Sequence, residues 1–444
     1  MQLSEKLVMR GAVWTIGAYG VSVGLRFVSN VILSRLVMPE VFGIMLVINT
    51  LRSGIELLSD VGIGQNIIHN RSGEDKAFRD TAWTIQMLRG VLLFVIMFLA
   101  AAPLGQLYSL PASAIQFASI TPAIVGAASV SIYVLQRRMQ LVRLNLFDLS
   151  MDFVGAVLVV GLALYSPTFW SLILAGVIGA AIRTCATYLL PHGRNWFAWQ
   201  PQYASQILHF GKWIYLASLL AFLSASFDKL FLGQSIPLAM LGIYGIARNI
   251  ADLPAILSAR LGYSVVFPLV SREKDRPRAE LRAHLLPMRL KLLFACAVCM
   301  AFGIAVADYA VRIIYDSRYH EATWMLPILL AGVWGAILCS INEYALLGAG
   351  KPIYGAAANM AKLVSLAVGI PLGLHFHGLL GAIVVIALSD LARYFIILFG
   401  QYRERVSFFA QDVIFSVVML GLLAALTVLR LQLGLGTAFD GAAG

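Results

Sequence analysis

Apolar runs of about 20 residues recur along almost the whole chain, each long enough to cross a bilayer as a helix. In lipid every backbone N–H and C=O has to find its partner within the chain, so runs of this length are read as membrane helices. Thirteen are predicted, at 11–34, 40–67, 82–106, 113–135, 147–165, 168–190, 207–232, 240–268, 288–307, 322–347, 353–374, 378–399 and 409–430. With 60% of its 444 residues hydrophobic and 12% charged, the chain has no room for a sizeable soluble domain. The first run is too long for a signal peptide and no small-x-small site closes it, so it is expected to stay as the first span.

The formal charge of +11 raises the question of nucleic acid, and the positions of the charges answer it. With the N-terminus inside, 21 of the 33 lysines and arginines fall in inner segments and four in outer ones; eight lie within spans. That is the bias of a membrane protein with its basic loops in the cytoplasm, and it removes the nucleic-acid reading.

The chain divides after six spans. The connection 191–206 (PHGRNWFAWQPQYASQ) carries Trp196, Phe197 and Trp199, an aromatic content that suits the headgroup layer. Displacement by 199 residues aligns FGIMLVINTLRSGIELL (42–58) with LGIYGIARNIADLPAIL (241–257), each at the start of the second span of its half. The expected organisation is an N-lobe at 1–190, a cytoplasmic linker at 191–206, a C-lobe at 207–405, and an extra span with tail at 406–444. Parallel six-helix halves are a recurrent transporter plan, with the substrate site between them.

No GxxxxGK[ST] is present, so ATP hydrolysis is not expected, and no enzyme motif is found. His375 and His377 have no nearby carboxylate or thiol to complete a metal site. Cys185, Cys296, Cys299 and Cys339 lie in or beside apolar helices and make no disulfide framework.

What remains is the charge inside the spans, which is costly there and normally faces a cavity or a partner. Arg26, Arg52, Arg248 and Lys362 lie deepest; Arg89 and Arg393 sit nearer the ends and are read as reaching the interface. In NTLRSGIELLSDVGIG (49–64), Arg52, Glu56 and Asp60 fall at steps of four and share one helical stripe. Arg52 with Glu56, and Arg248 with Asp252, have the spacing of intrahelical pairs. Arg26 and Lys362 have no acidic residue three or four positions away and are expected to be unpaired, which implies an anionic guest or water. The arginine fork suits phosphate.

The segment LSRLVMPEVFGIMLVINTLRSGIELLSDVGIGQNIIH (33–69) resembles the start of Wzx-type polysaccharide flippases, in the superfamily that includes multidrug exporters and lipid II flippases. Pro39, Glu40, Phe42, Gly43, Asp60, Gly62, Gly64 and Gln65 carry that pattern, and HFHGLLGAIVVIALSDLARY (375–394) resembles the family's turn into the twelfth span. The likeness runs from about residue 8 to 405. It implies an all-α polytopic fold of two six-helix lobes in a V, with 12–14 spans, working by alternating access in the bacterial inner membrane.

The implied cargo is an undecaprenyl-diphosphate-linked oligosaccharide repeat unit, moved to the periplasmic leaflet. Arg26, Arg52, Arg248 and Lys362 are then the diphosphate ligands, and Glu56, Asp60, Asp252 and Glu343 the candidates for a coupling ion or gate. No cofactor is expected beyond a proton or sodium gradient. Expected partners are the lipid-linked cargo, membrane lipids, a polysaccharide polymerase and its co-polymerase. A cation-coupled exporter of small organic molecules, a lipid II flippase and a non-transporting scaffold of polysaccharide synthesis are the alternatives. The first would favour carboxylates and aromatics over several cations. Many relatives have fourteen spans; thirteen put this C-terminus outside, with the tail LQLGLGTAFDGAAG cut short or lying at the interface.

Overall fold

The computed structural model describes residues 5–59, 62–272 and 277–442, and among them every regular element is a helix. The chain forms two compact units, Met1–Leu219 and Leu220–Gly444. The first holds α1 (Glu5–Leu36), α2 (Pro39–Leu58), α3 (Ile63–His69), α4 (Lys76–Tyr108), α5 (Ala112–Ala118), α6 (Ile120–Gly126), α7 (Ser131–Arg137), α8 (Leu141–Tyr165), α9 (Phe169–Thr187) and the start of α10 (Pro201–Ser235). The second holds the rest of α10, then α11 (Leu238–Leu261), α12 (Phe267–Arg272), α13 (Arg278–Ile314), α14 (Ala322–Gly348), α15 (Ile353–Arg403) and α16 (Phe409–Gln432).

Among the described residues, α4, α8, α9, α13, α14, α15 and α16 are long and apolar enough to cross a membrane, and the bent set α5–α7 adds an eighth. The chain is a multi-pass membrane protein. The long helices outside that set (α1, α2, α10 and α11) are the ones that carry Arg26, Arg52, Asp228 and Arg248.

Several spans expected to be continuous are broken. The run at 40–67 ends as α2 at Leu58, and α3 restarts after Gly62 in the left-handed region (φ 63°), a conformation glycine adopts without strain. The run at 113–135 splits at Ser119 and again between Gly126 and Ser131. Side chains satisfy the carbonyls freed at the second break. Gln86 Nε2 donates to the Gly126 and Ala128 carbonyls (3.1 and 2.8 Å) and Trp83 Nε1 to Ala127 (3.2 Å). The run at 240–268 passes through a π turn at Gly262–Val266, where Gly262 lies against the Tyr344 ring.

The expected spans 353–374 and 378–399 form α15, 51 residues with non-helical backbone at His377 and Gly378. At 1.5 Å per residue, Gly373 and Gly381 would be about 12 Å apart in one straight helix. Instead their backbones touch, so the chain turns back on itself there, with glycine on both sides to allow the approach.

In the first unit, Ile67, Phe78, Trp83, Val134 and Ile207 join α3, α4, α7 and α10 in one core. The stretch before α10 is fastened to polar residues of α4. Trp196 N–H donates to Asp80, Ala198 N–H to Thr84 Oγ1 and Gln200 N–H to Thr81 Oγ1, at 3.0–3.4 Å. Trp83 packs edge-on against Phe197, while Trp196, Phe197 and Trp199 remain largely exposed. Residues 207–219, assigned to the C-lobe from sequence, cluster with this first unit.

In the second unit α14 is the hub, buried along most of its length. Gly332 lets its backbone meet that of Ala387, the small-residue contact on which close helix packing in membranes depends. The last span packs on α13 and is held at both ends. Arg289 pairs with Asp412 at 2.6 Å, and Arg430 grips Asp308 through two parallel bonds of 2.7 and 2.8 Å.

Candidate functional site

The in-span charges of the second unit converge on α10, α11, α14 and α15. Tyr244 donates to Asp228. Arg248 lies 3.8 Å from Asp228 and 3.3 Å from Asp252, one helical turn along α11. Lys362 donates to both oxygens of Asp390 at 2.9 Å across the α15 turn. Arg393 pairs with Glu343 of α14 and lies 3.9 Å from Asp390. Lys362 and Asp390 are 11% and 6% exposed, so little water screens them.

The first unit spaces its charges more openly. Arg26 of α1 reaches Asp152 of α8 at 3.2 Å while remaining 67% exposed. Arg52 and Glu56 form the i,i+4 pair expected from their spacing, at 3.4 Å, both half-buried. Arg89 is held against the C-terminal turn of α2, with Nε on Ser59 Oγ at 2.8 Å and Nη2 on the Glu56 carbonyl. Arg183 of α9 pairs with Asp148 of α8. Outside the spans, Arg137 caps the carbonyls of Ile67 and Asn70 beyond α3, and the hydrogen bond from Arg138 holds the Glu74 carboxyl below its usual range.

Two expectations are corrected. Arg26 and Lys362 are paired, with Asp152 and Asp390, because the carboxylates come from other helices and not from their own turn. Arg89 and Arg393, read as reaching the interface, each bond to a neighbouring helix. Arg26 and Arg52 belong to the first unit, Arg248 and Lys362 to the second; Asp60 lies outside the described residues. The partners Asp152, Asp228 and Asp390 had one signal in the sequence, a carboxylate within an apolar run.

Such a network can hold an anion only by exchange. A guest oxyanion that takes the lysine or a guanidinium fork displaces a carboxylate, and the displaced carboxylate then needs a proton or another cation.

The model of a family described as polysaccharide biosynthesis protein matches residues 32–323. The succinoglycan biosynthesis transport protein ExoT of Rhizobium meliloti (strain 1021) is 24% identical over 333 residues, 74% of this chain and 66% of that protein. The lipopolysaccharide biosynthesis protein WzxC of Escherichia coli (strain K12) is 23% identical over 283 residues, 62% of this chain and 56% of its own. The matched part of the chain thus spans 66% and 56% of the length of these two relatives. Among solved structures, the lipid II flippase MurJ in its inward closed conformation shares the fold with a TM-score of 0.75 at 13% identity, over 98% of this chain and 95% of that one.

Proposed function

The chain belongs to the polysaccharide biosynthesis protein family, and on that footing we propose that it is a flippase for an undecaprenyl-diphosphate-linked oligosaccharide. The repeat unit enters from the cytoplasmic leaflet of the bacterial inner membrane and leaves to the periplasmic one by alternating access, for exopolysaccharide, capsule or O-antigen synthesis. The N-terminus faces the cytoplasm, the side that the positive-inside bias favours. ExoT is named a transport protein and MurJ a flippase, which supports transport over catalysis.

One observation carries the reading. Lys362 and Arg248 are basic residues buried on helices of the second unit, where a well-packed hydrophobic residue would serve stability as well or better. Charge retained at that cost is explained by a charged guest. Arg26, Arg52, Arg248 and Lys362 are the proposed diphosphate ligands, the two arginines of the first unit being the more accessible. Glu56, Asp252 and Glu343, each beside a cation, are the proposed coupling groups: a carboxylate freed by the cargo binds a proton or sodium and releases it when the pair re-forms. A polysaccharide polymerase and co-polymerase are the proposed partners downstream.

The test is leaflet exchange of an undecaprenyl-diphosphate-linked oligosaccharide in proteoliposomes, with Arg26→Ala, Arg52→Ala and Lys362→Ala beside the parent. Loss of one charge-assisted contact to the phosphates predicts exchange slowed roughly tenfold or more in each. Unchanged exchange in all three would remove the cationic site. Exchange only of small organic cations would replace the cargo.

A further inference from the structure

The second unit carries an open groove of about 520 Å³ between the start of α13, the end of α15 and the start of α16. Every residue that lines it belongs to that unit, and none belongs to the network of Asp228, Lys362 and Asp390.

Helical periodicity builds its long wall. Phe395, Leu398, Phe399 and Tyr402 stand at steps of three and four, so they share one face of α15. Tyr394, Ile397 and Gln401 on the other side are buried, which turns the aromatic face outward; Phe395, Phe399 and Tyr402 are each more than half exposed. At 1.5 Å per residue this face runs about 10 Å along the helix. Phe409 adds a ring from the first turn of α16, and Ala410, with only a methyl group, leaves the space open. The turn between the two helices is anchored, because Phe408 is buried under the Arg289 guanidinium at 4.2 Å.

One end of the groove is polar. Arg282 of α13 and Ser407, whose Oγ accepts from the Phe409 amide at 3.4 Å, join Tyr402 there. A tyrosine at the end of a span belongs to the headgroup level, so the donors lie among headgroups and the other rings among acyl chains.

The charge at that end is positive whichever residues pair. The segments that contribute Arg282 and Ser407 are 271–291, with seven basic residues against three acidic, and 401–412, with two against two. The surplus of four survives any bond formed within them. Both acids of the second segment are also engaged, Glu404 by Lys351 at 3.2 Å and Asp412 by Arg289 at 2.6 Å. A zwitterionic headgroup would bring a cation of its own to this surplus, whereas an anionic one complements it.

We propose that the groove holds one anionic phospholipid, its acyl chain along Phe395, Phe399 and Phe409 and its phosphate on Arg282 and Ser407. Such a lipid fastens α13, α15 and α16 together from outside. The site is separate from the diphosphate ligands and does not depend on the cargo.

The test titrates the purified full-length chain in detergent with dioleoyl-phosphatidylglycerol, dioleoyl-phosphatidylcholine or undecaprenyl phosphate, and counts retained lipid by native mass spectrometry. Arg282→Gln removes the cation that lines the groove. Ala410→Trp fills the groove without changing charge, so it keeps the test sound if the first variant fails to fold. Arg143→Gln, at an exposed arginine of α8 in the first unit, controls for surface charge. The parent should retain one phosphatidylglycerol in preference to phosphatidylcholine. Arg282→Gln should weaken that retention about fivefold, the effect of one arginine near a headgroup. Ala410→Trp should weaken it at least as much, and Arg143→Gln should leave it unchanged.

Equal retention of the two phospholipids would overturn the site, as would unchanged retention in folded Ala410→Trp or equal weakening in Arg143→Gln. Displacement of phosphatidylglycerol by equimolar undecaprenyl phosphate would overturn it too, by making the groove part of the cargo's path. So would a dimer that retains no phospholipid and dissociates in Ala410→Trp, since the groove would then belong to a second copy of the chain.

Discussion

The two units keep charge inside apolar helices under different conditions. In the second unit the pairs are buried: Arg289 and Asp412 are each 1% exposed, and Lys362 with Asp390 nearly as dry. In the first, Arg26, Arg183 and their partners stay open enough for solvent to share the charge. Burial decides what a pair does. A dry pair cannot lose one member without stranding the other in low dielectric, whereas a wet pair contributes little to stability and leaves its cation available to a guest. The second unit thus yields a cation only when a guest takes the carboxylate's place, whereas the first presents its cations openly.

The largest effect is expected where burial and bonding are most complete. Asp412 accepts from Arg289, Asn342 and Tyr394 at 2.6, 2.8 and 2.9 Å, and the Arg289 guanidinium also lies over the Phe408 ring at 4.2 Å. Asp412→Ala should destabilise the second unit by about 3–5 kcal/mol, because it orphans a buried guanidinium. Thermal unfolding in detergent reads it. The double change Arg289→Met with Asp412→Leu should recover most of the loss, since the apolar replacement carries no desolvation cost. A double variant no better than the single would mean that the pair's shape, not its charge, holds α13 to α16.

Next comes Asp390, which faces Lys362 at 2.9 Å and Arg393 at 3.9 Å. Asp390→Ala should cost about 3 kcal/mol and also change transport, because it strands Lys362 while Arg393 keeps Glu343. If Asp390→Ala leaves melting unaltered, the second unit is wetter than its exposures imply and the contrast between the units collapses.

How much of this was legible in the chain depended on distance along it. Helical spacing exposed the intrahelical pairs: Arg52–Glu56 and Arg248–Asp252 follow from a step of four. The same rule misjudged Arg26 and Lys362, whose carboxylates lie 126 and 28 residues away, where spacing carries no information and only the fold brings them together. The membrane class was plain from run length. The breaks at Ser59 and Ala127 were not, because apolar residues resume beyond each and the freed carbonyls are satisfied by Gln86, Trp83 and Arg89, which lie elsewhere in the chain. The docking of residues 195–200 on Asp80, Thr81 and Thr84 was hidden likewise, since backbone donors leave no trace in a side-chain pattern.

The smallest effect on stability, and the sharpest test of the contrast, belongs to Arg26. Its guanidinium bridges α1 and α8 through Asp152, at 3.2–3.3 Å, with most of its surface in the open. An exposed pair of this kind contributes about 0–1 kcal/mol, so Arg26→Ala and Asp152→Ala should each melt within that margin of the parent. Their effects on leaflet exchange should nevertheless diverge. Removing Asp152 leaves the arginine free of its competitor and should preserve or speed capture of the cargo, whereas removing Arg26 deletes a proposed ligand and should slow it. Equal slowing in both variants would show that the pair acts as a strut between α1 and α8, and the first unit would then resemble the second in using charge to hold helices together.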